Sequence, residues 1–262
     1  MTDVRRKMPT SYLIPTRSGR VAVRDTAGGG DAVVLVHGWG VDSVLNWETS
    51  LHELEGTHRV VTVDLPGHGM SRADGEMSIE NMAGVIVDVC EHIGGGRTYL
   101  CGYSMGGAIV LEAAETAGVD GVVFAATAAR FSRWGLGLVA AAGGALKLSG
   151  MLVRRGTPTV DNAHLAAVWR LSSNDPRALG EALMQTVAYD GRERADNLDI
   201  PAVSLVTVKD HIVDVSLQRE LAALARAEVI EIDQGHGACS HKEFGVAMAE
   251  AVRRLSMGTR EA

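Results

Sequence analysis

The chain carries Gly102-Tyr103-Ser104-Met105-Gly106 at the junction between a strand-like segment and a helical one. Residues 97–101 are largely apolar and rich in strand formers, whereas residues 107–115 are rich in alanine with helical spacing. A residue at such a junction adopts strained backbone angles, and its neighbours must be small so that chain segments approach closely. The stretch predicts a sharp turn that exposes the Ser104 hydroxyl and places the next N–H beside it.

Length, charge and cysteine content limit the classes of protein that fit. A chain of 262 residues suits one α/β domain with room for an insertion. The formal net charge of −7 argues against a nucleic-acid partner, which requires a basic face. The three cysteines have no metal-ligand spacing, and residues 1–12 lack the apolar core of a signal peptide. We therefore expect a cytoplasmic protein without a structural disulfide.

Strand-like and helical segments alternate along most of the chain. This alternation predicts an α/β fold with a mostly parallel central sheet and helices on both faces. Helices are clearest at residues 78–93, where Ser78 and Asn81 offer capping groups, and at residues 244–255. The expected strands are an N-terminal hairpin of residues 12–14 and 21–24, followed by 32–36, 60–63, 97–101, 121–125, 202–208 and 228–232.

One long segment interrupts the alternation. Residues 128–199 contain no convincing strand and predict a helical cap, inserted into a core made of residues 1–127 and 200–262. Within it, residues 134–153 are nearly all apolar and long enough to cross a membrane. A transmembrane span is disfavoured because the chain would have to return and add two more strands to the sheet. Contact between the cap and a membrane surface stays open.

A serine hydroxyl attacks a carbonyl only if a nearby imidazole takes its proton, and a carboxylate orients that imidazole. His236 lies between two glycines directly after the strand-like residues 228–232, where a loop can fold over the sheet edge toward Ser104. The alternative is His241, which stands at the start of the terminal helix among charged residues. We therefore predict His236 as the base.

Two aspartates compete for the role of the carboxylate. Asp210 comes at the end of the strand-like residues 202–208, in the chain order acid and then histidine. Asp214 is the alternative, although we expect it to cap the helix that begins near residue 215. The end of the preceding strand, residues 125–128, offers no carboxylate. Asp210 is the preferred acid.

The oxyanion that forms in such a reaction requires two backbone donors. One is the N–H of Met105, which follows the serine at a helix N-terminus where the dipole helps. The other is expected after the strand-like residues 32–36, in His37-Gly38-Trp39-Gly40. The N–H of Trp39 is the natural donor there, with Gly38 leaving room for the turn.

The chain resembles the α/β-hydrolase superfamily over roughly residues 21–255. The matching stretches occur in the family's order and are His37-Gly38-Trp39-Gly40, Asp64-Leu65-Pro66-Gly67-His68-Gly69-Met70-Ser71, residues 102–107, Lys209-Asp210 and Gly235-His236. The second stretch is similar to a structural loop of the family, so Asp64 is interpreted as a turn former. Relatives often carry proline where Asp214 stands, which keeps Asp214 as an alternative to Asp210.

The resemblance implies acyl chemistry. Haloalkane dehalogenases and epoxide hydrolases of this fold use an aspartate where this chain has Ser104, so they are excluded. The resemblance leaves carboxylic esters, carbon–carbon bonds of ring-cleavage diketones, and the chemistry of the cofactor-free haloperoxidase and perhydrolase branch. A ligand receptor on the same fold is the non-enzymatic alternative. None of these serine reactions requires a metal or an organic cofactor.

The apolar cap favours a hydrophobic carboxylic ester as the small-molecule substrate. A charged diacid would require arginines, and those near the cap are expected to be solvated: Arg130, Arg133, Arg154, Arg155 and Arg170. The sequence leaves a monomer and a homodimer open. The predicted substrate-binding residues are Gly38, Tyr103, Trp134, Leu138, Leu146 and Met151.

Overall fold

A computed structural model of the chain describes residues 9–132 and 174–258. Much of the predicted cap lies outside the described residues, including the apolar run 134–153. Four of the predicted substrate-binding residues lie outside them as well, namely Trp134, Leu138, Leu146 and Met151. Among the described residues, no helix has both the length and the apolar character needed to cross a membrane.

In the described ranges, eight strands form one sheet. They are β1 (Ser11–Thr16), β2 (Gly19–Asp25), β3 (Ala32–Val36), β4 (Arg59–Val63), β5 (Thr98–Tyr103), β6 (Gly121–Ala125), β7 (Ala202–Thr207) and β8 (Glu228–Ile232). Their order across the sheet is β1-β2-β4-β3-β5-β6-β7-β8. The β1–β2 and β2–β4 pairs are antiparallel, and all later pairs are parallel. The mostly parallel sheet predicted from the sequence is thus confirmed.

Helices cover both faces of this sheet. They are α1 (Ser43–Leu54), α2 (Ile79–Ile93), α3 (Met105–Ala117), α4 (Pro176–Ala188), α5 (Arg192–Asp196), α6 (Val215–Leu224) and α7 (Lys242–Gly258). In β3, Val34 and Val36 pack into one hydrophobic cluster with α2 and α3, whereas Val33 and Leu35 pack into a second with α1 and α7. Successive strand side chains point to opposite faces, so β3 must be apolar throughout to be buried on both.

Local sequence signals placed several elements correctly. The N-terminal hairpin is confirmed, with Tyr12 opposite Val23. Ser78 caps α2 by accepting a hydrogen bond from the Asn81 N–H, and Asp214 caps α6 as expected. In the described part of residues 128–199, α4 and α5 pack on the core, and the β-structure there is one isolated bridge between residues 130 and 190.

Candidate active site

Ser104 lies at the turn between β5 and α3 with φ of 53° and ψ of −120°. This left-handed conformation is strained for a residue with a side chain, so its surroundings must hold it. The Ser104 N–H donates to the Ala125 carbonyl at 2.9 Å. The Ser104 carbonyl accepts from the Gly107 N–H at 2.8 Å and from the Thr127 hydroxyl at 2.6 Å. The serine hydroxyl does not cap α3, which leaves it available for other contacts.

Glycines around the turn are required by close packing of the backbone. A Cβ at Gly106 would clash with the Val36 carbonyl oxygen, and one at Gly102 would clash with the Gly106 carbonyl oxygen. A Cβ at Gly107 would clash with the Thr127 side chain, which contacts the Ser104 carbonyl. These clashes explain why glycines surround the serine in the sequence.

The imidazole of His236 contacts two of the predicted residues at once. Its Nε2 lies 3.0 Å from the Ser104 Oγ, and its Nδ1 lies 2.8 Å from the Asp210 Oδ2. A carboxylate only accepts hydrogen bonds, so Nδ1 carries the proton and Nε2 is left with a lone pair facing the serine hydroxyl. The imidazole is 17% exposed, whereas the Asp210 carboxylate is fully buried.

The Asp210 carboxylate is also held from its other sides. Its Oδ1 accepts the backbone N–H groups of Ile212 at 2.8 Å and of Val213 at 3.0 Å. Its Oδ2 accepts the hydroxyl of Thr207 at 2.8 Å and the amide of Gln218 at 3.3 Å. These bonds fix the direction of the lone pairs that meet the imidazole.

The environment of Asp210 favours its charged form. Burial alone would raise the pKa of Asp210, but the hydrogen bond and charge of His236 and two backbone N–H groups outweigh burial, so the pKa is lowered. The carboxylate therefore stays ionised at neutral pH. Asp214, the alternative acid, is exposed and accepts hydrogen bonds from the N–H and hydroxyl of Ser216 instead.

The loop after β3 lies against the serine. A Cβ at Gly38 would stand 3.3 Å from the Ser104 Cβ. His37 holds this loop by donating from Nδ1 to the Gly38 carbonyl at 2.7 Å and accepting the Leu65 N–H on Nε2 at 3.0 Å. Burial lowers the pKa of His37, which keeps the ring neutral as this pattern requires.

Among the described residues, two backbone N–H groups near the serine have no hydrogen-bond acceptor. The Gly38 N–H is used, because it donates to the Asn46 side chain at 2.9 Å. Within the described ranges, the backbone bonds include none from the Trp39 or the Met105 N–H. Met105 is the first residue of α3, where N–H groups point out of the helix without an intrahelical partner. In the described part of the chain, neither of the two predicted oxyanion donors thus has a competing acceptor.

Helix α4 is tied to the same loop. The Trp39 indole N–H donates to the Leu179 carbonyl at 2.7 Å. The side chain of Asn174 donates to the Gly40 carbonyl at 2.8 Å and accepts the Gly69 N–H at 2.9 Å. One amide side chain thus joins the loop after β3, the 64–71 loop and the segment that leads into α4.

Asp64 is a structural residue in the 64–71 loop. It is fully buried and accepts the Ser43 hydroxyl at 2.5 Å and the Met70 N–H at 3.0 Å, with the guanidinium of Arg24 at 3.4 Å. Burial would raise the pKa of Asp64, but the charge of Arg24 and the hydrogen bond from Ser43 lower it overall. Asp64 binds loop and strand together, in line with its interpretation as a turn former.

His241, the alternative to His236, is exposed and directly precedes α7.

Sequence reasoning did not identify all residues that surround the serine. Thr127 and Asn46 were not singled out, although both bind backbone atoms of the site. For Thr127 a signal existed, since it follows β6 at the sheet edge where the serine turn also lies. Tyr103, a predicted substrate contact, is only 3% exposed, and its hydroxyl binds the His236 carbonyl.

Comparison with known proteins gives a family and several relatives. A model described as the alpha/beta hydrolase family matches residues 33–252. A pimeloyl-[acyl-carrier protein] methyl ester esterase of Methylococcus capsulatus is 36% identical over 93 residues, which cover 36% of this chain and 35% of that protein. An acetyltransferase component of an acetoin cleaving system of Pseudomonas putida is 37% identical over 90 residues, covering 34% and 24%. The matches span about a third or less of these curated relatives.

Solved structures resemble the chain over most of its length. An enol-lactonase from Burkholderia xenovorans LB400 has a TM-score of 0.76 at 23% identity, covering 94% of this chain and 100% of that one. A thermophilic esterase from Thermogutta terrifontis has a TM-score of 0.75 at 24% identity, covering 94% and 99%. A bromoperoxidase from Bacillus anthracis has a TM-score of 0.76 at 19% identity, covering 93% and 100%. At these identities the similarity concerns the fold.

Proposed function

Because the chain belongs to the alpha/beta hydrolase family, we propose that it hydrolyses esters with Ser104 as nucleophile, His236 as base and Asp210 as the orienting acid. The proposal is carried by a single imidazole that contacts the serine Oγ at 3.0 Å and the aspartate Oδ2 at 2.8 Å. Relatives that match part of the chain are described as methyl ester esterases, which supports ester chemistry.

In the first half of the proposed reaction, the Ser104 Oγ attacks the ester carbonyl while its proton moves to Nε2 of His236. The resulting imidazolium is stabilised by Asp210, whose lowered pKa keeps it charged. The negative charge on the former carbonyl oxygen is bound by the backbone N–H groups of Trp39 and Met105. Collapse of this intermediate breaks the ester C–O bond, and the imidazolium protonates the departing alcohol.

In the second half, water hydrolyses the acyl-serine. His236 takes a proton from the attacking water, and the same two N–H groups bind the second oxyanion. The carbon–Oγ bond then breaks, the proton returns from the imidazolium to Ser104, and the carboxylic acid leaves. The net reaction consumes one ester and one water and regenerates the enzyme.

The proposed substrate is a small-molecule ester with a hydrophobic acyl or aryl group of any chain length, as for a carboxylesterase. We assign its binding to a cap of residues 128–199 above a core of residues 1–127 and 200–262. Support comes from α4 and α5, which pack on the core, and from the apolar composition of residues 134–153. The cysteines at 90, 101 and 239 are all free, which supports a reducing compartment such as the cytoplasm.

Turnover of p-nitrophenyl esters with acyl chains of increasing length tests the proposal. Ser104→Ala is expected to lower kcat by at least about a thousandfold, the order of cost of losing a serine nucleophile. It should also abolish labelling by a fluorophosphonate. His236→Ala is expected to lose activity similarly, whereas the matched control His241→Ala should retain it.

Two results would contradict the proposal. Near-normal turnover by Ser104→Ala would exclude the serine as nucleophile. Labelling of Ser104 without turnover of any ester in the series would instead favour a ligand receptor. A rate that rises with acyl chain length would support the hydrophobic substrate, and a rate that falls steadily from acetate onward would count against it.

A further inference from the structure

Tyr103 is the last residue of β5 and directly precedes the proposed nucleophile. Its ring is almost fully buried in an aromatic cluster. The ring centroid lies 6.2 Å from that of Trp47 and 5.4 Å from that of Phe244, both in edge-on geometry, and 5.6 Å from that of His236. This packing leaves the phenol one well-defined direction, and a buried hydroxyl requires a hydrogen-bond partner.

The Tyr103 hydroxyl donates to the backbone carbonyl of His236, at an O–O distance of 2.5 Å, and Cys239 lies within hydrogen-bonding reach of the same hydroxyl. The hydroxyl must donate in this bond because a carbonyl oxygen only accepts. Burial raises the pKa of Tyr103 well above its ordinary value, so the phenol keeps its proton at neutral pH. The folded protein therefore keeps this hydroxyl as a hydrogen-bond donor at neutral pH.

Two adjacent residues thus contact both the main chain and the side chain of His236. Tyr103 binds its main-chain carbonyl, and Ser104 meets its ring at Nε2. Glycines at 235 and 237 flank the histidine, and glycine gives the backbone more freedom than any other residue. A hydrogen bond to the carbonyl between them removes that freedom at the position that sets where the imidazole points.

We propose that Tyr103 is a positioning residue, which holds the loop of His236 so that its imidazole reaches the Ser104 Oγ and the Asp210 Oδ2 together. This inference rests on the proposed function. It concerns the hydroxyl and not the ring, because the ring already has its place in the aromatic cluster. The residue therefore acts through His236 and without contact to the reacting atoms.

Tyr103→Phe removes the hydroxyl and keeps the ring. A misplacement of about 1 Å in a catalytic group costs up to roughly a hundredfold in rate, so we expect kcat to fall by about 10- to 100-fold. KM should change little, because Tyr103 is nearly inaccessible to a substrate. The matched control is Tyr99→Phe, the same change at a fully buried tyrosine on the same strand.

A second readout does not depend on turnover. The proton between His236 Nδ1 and Asp210 should give a far-downfield ¹H resonance, identified by its absence from His236→Ala. We expect this resonance to broaden or disappear in Tyr103→Phe and to persist in Tyr99→Phe and in Ser104→Ala. Replacing Tyr103 by para-aminophenylalanine, which restores a donor at the same place, should restore both the resonance and most of kcat.

The outcomes separate the inference from the proposed function. Full activity and an unchanged resonance in Tyr103→Phe would overturn the positioning role. Equal losses of kcat in Tyr103→Phe and Tyr99→Phe, without recovery by para-aminophenylalanine, would assign the effect to general packing and overturn it too. If Ser104→Ala stays active, the proposed function fails, while the resonance still reports on the contact between Tyr103 and the loop.

Discussion

Asp210→Asn tests the contact on which the orientation of the imidazole depends. The Oδ1 of Asp210 accepts two backbone N–H groups, from Ile212 and Val213. In the variant, the asparagine carbonyl oxygen is expected to take this place, because an amide NH₂ cannot accept those bonds and the two backbone donors cannot turn away. At the Oδ2 position, the donors besides His236 are the Thr207 hydroxyl and the Gln218 amide, side-chain groups that can rotate or flip to accept instead. The NH₂ group then stands where Oδ2 was, at 2.8 Å from Nδ1 of His236.

The consequence is a change of tautomer. Facing a donor, Nδ1 of His236 must accept, so the ring proton moves to Nε2 and the lone pair that should receive the Ser104 proton is lost. The same change in serine triads costs on the order of 10⁴-fold in kcat. This factor corresponds to about 5.5 kcal/mol of activation free energy. KM should change little, because the carboxylate is fully buried and has no contact with substrate.

The assay compares kcat for one p-nitrophenyl ester in the wild type, Asp210→Asn and Asp214→Asn. Asp214 offers a matched control, since the same substitution there keeps a good helix cap for α6. Circular dichroism melts establish that all three proteins fold. Retention of more than about a tenth of kcat by Asp210→Asn would refute the tautomer reasoning, given the size of triad effects. Loss confined to Asp214→Asn would transfer the role to Asp214.

Three further variants address the scaffold by urea unfolding. Gly106→Ala should lower the free energy of unfolding by about 1–3 kcal/mol, because its Cβ meets the Val36 carbonyl oxygen; wild-type stability would contradict this packing. Gly180→Ala lies inside α4, and no atom of the described residues comes within 4 Å of the new Cβ, so it should raise the free energy of unfolding by about 0.5–1 kcal/mol; a loss would contradict that. Asp64→Asn should lower the free energy of unfolding most above pH 3.8, the ordinary pKa of an aspartate. The pKa of Asp64 is lowered in the folded protein, so the stabilisation by its ionised carboxylate decreases as the pH falls below 3.8. A difference in free energy of unfolding between wild type and variant that does not change with pH would argue against the ionised carboxylate.

The sequence predicted elements that rest on local signals. An uninterrupted β-branched run marked β3, and polar side chains at Ser78 and Asp214 marked the beginnings of two helices. No bounds were predicted for helix α1 within the expected alternation, and α7 proved longer than residues 244–255 at both ends. The placement of β4 between β2 and β3 could not be read from the sequence either, because strand order is decided by packing between distant segments.

The candidate site likewise contains residues that the sequence predicted and residues that it did not. Ser104, Asp210 and His236 could be proposed because each follows a strand in a recognisable order along the chain. Thr127 and Asn46 could not, because each acts through one hydrogen bond to a backbone atom of another element, at Ser104 and Gly38. A single buried polar side chain has no periodicity, so its partner becomes visible only when the fold is known.

The hydrogen bonds of Asn174 and of the Trp39 indole have a consequence for modular exchange among relatives. Both connect residues of the proposed cap, 128–199, to the loop that carries a proposed anion donor. A graft that swaps residues 128–199 for a foreign insertion replaces two of the supports of that loop. On the proposed division into cap and core, a segment that replaces residues 128–199 must therefore bring an equivalent amide and a helical carbonyl to keep this loop in place.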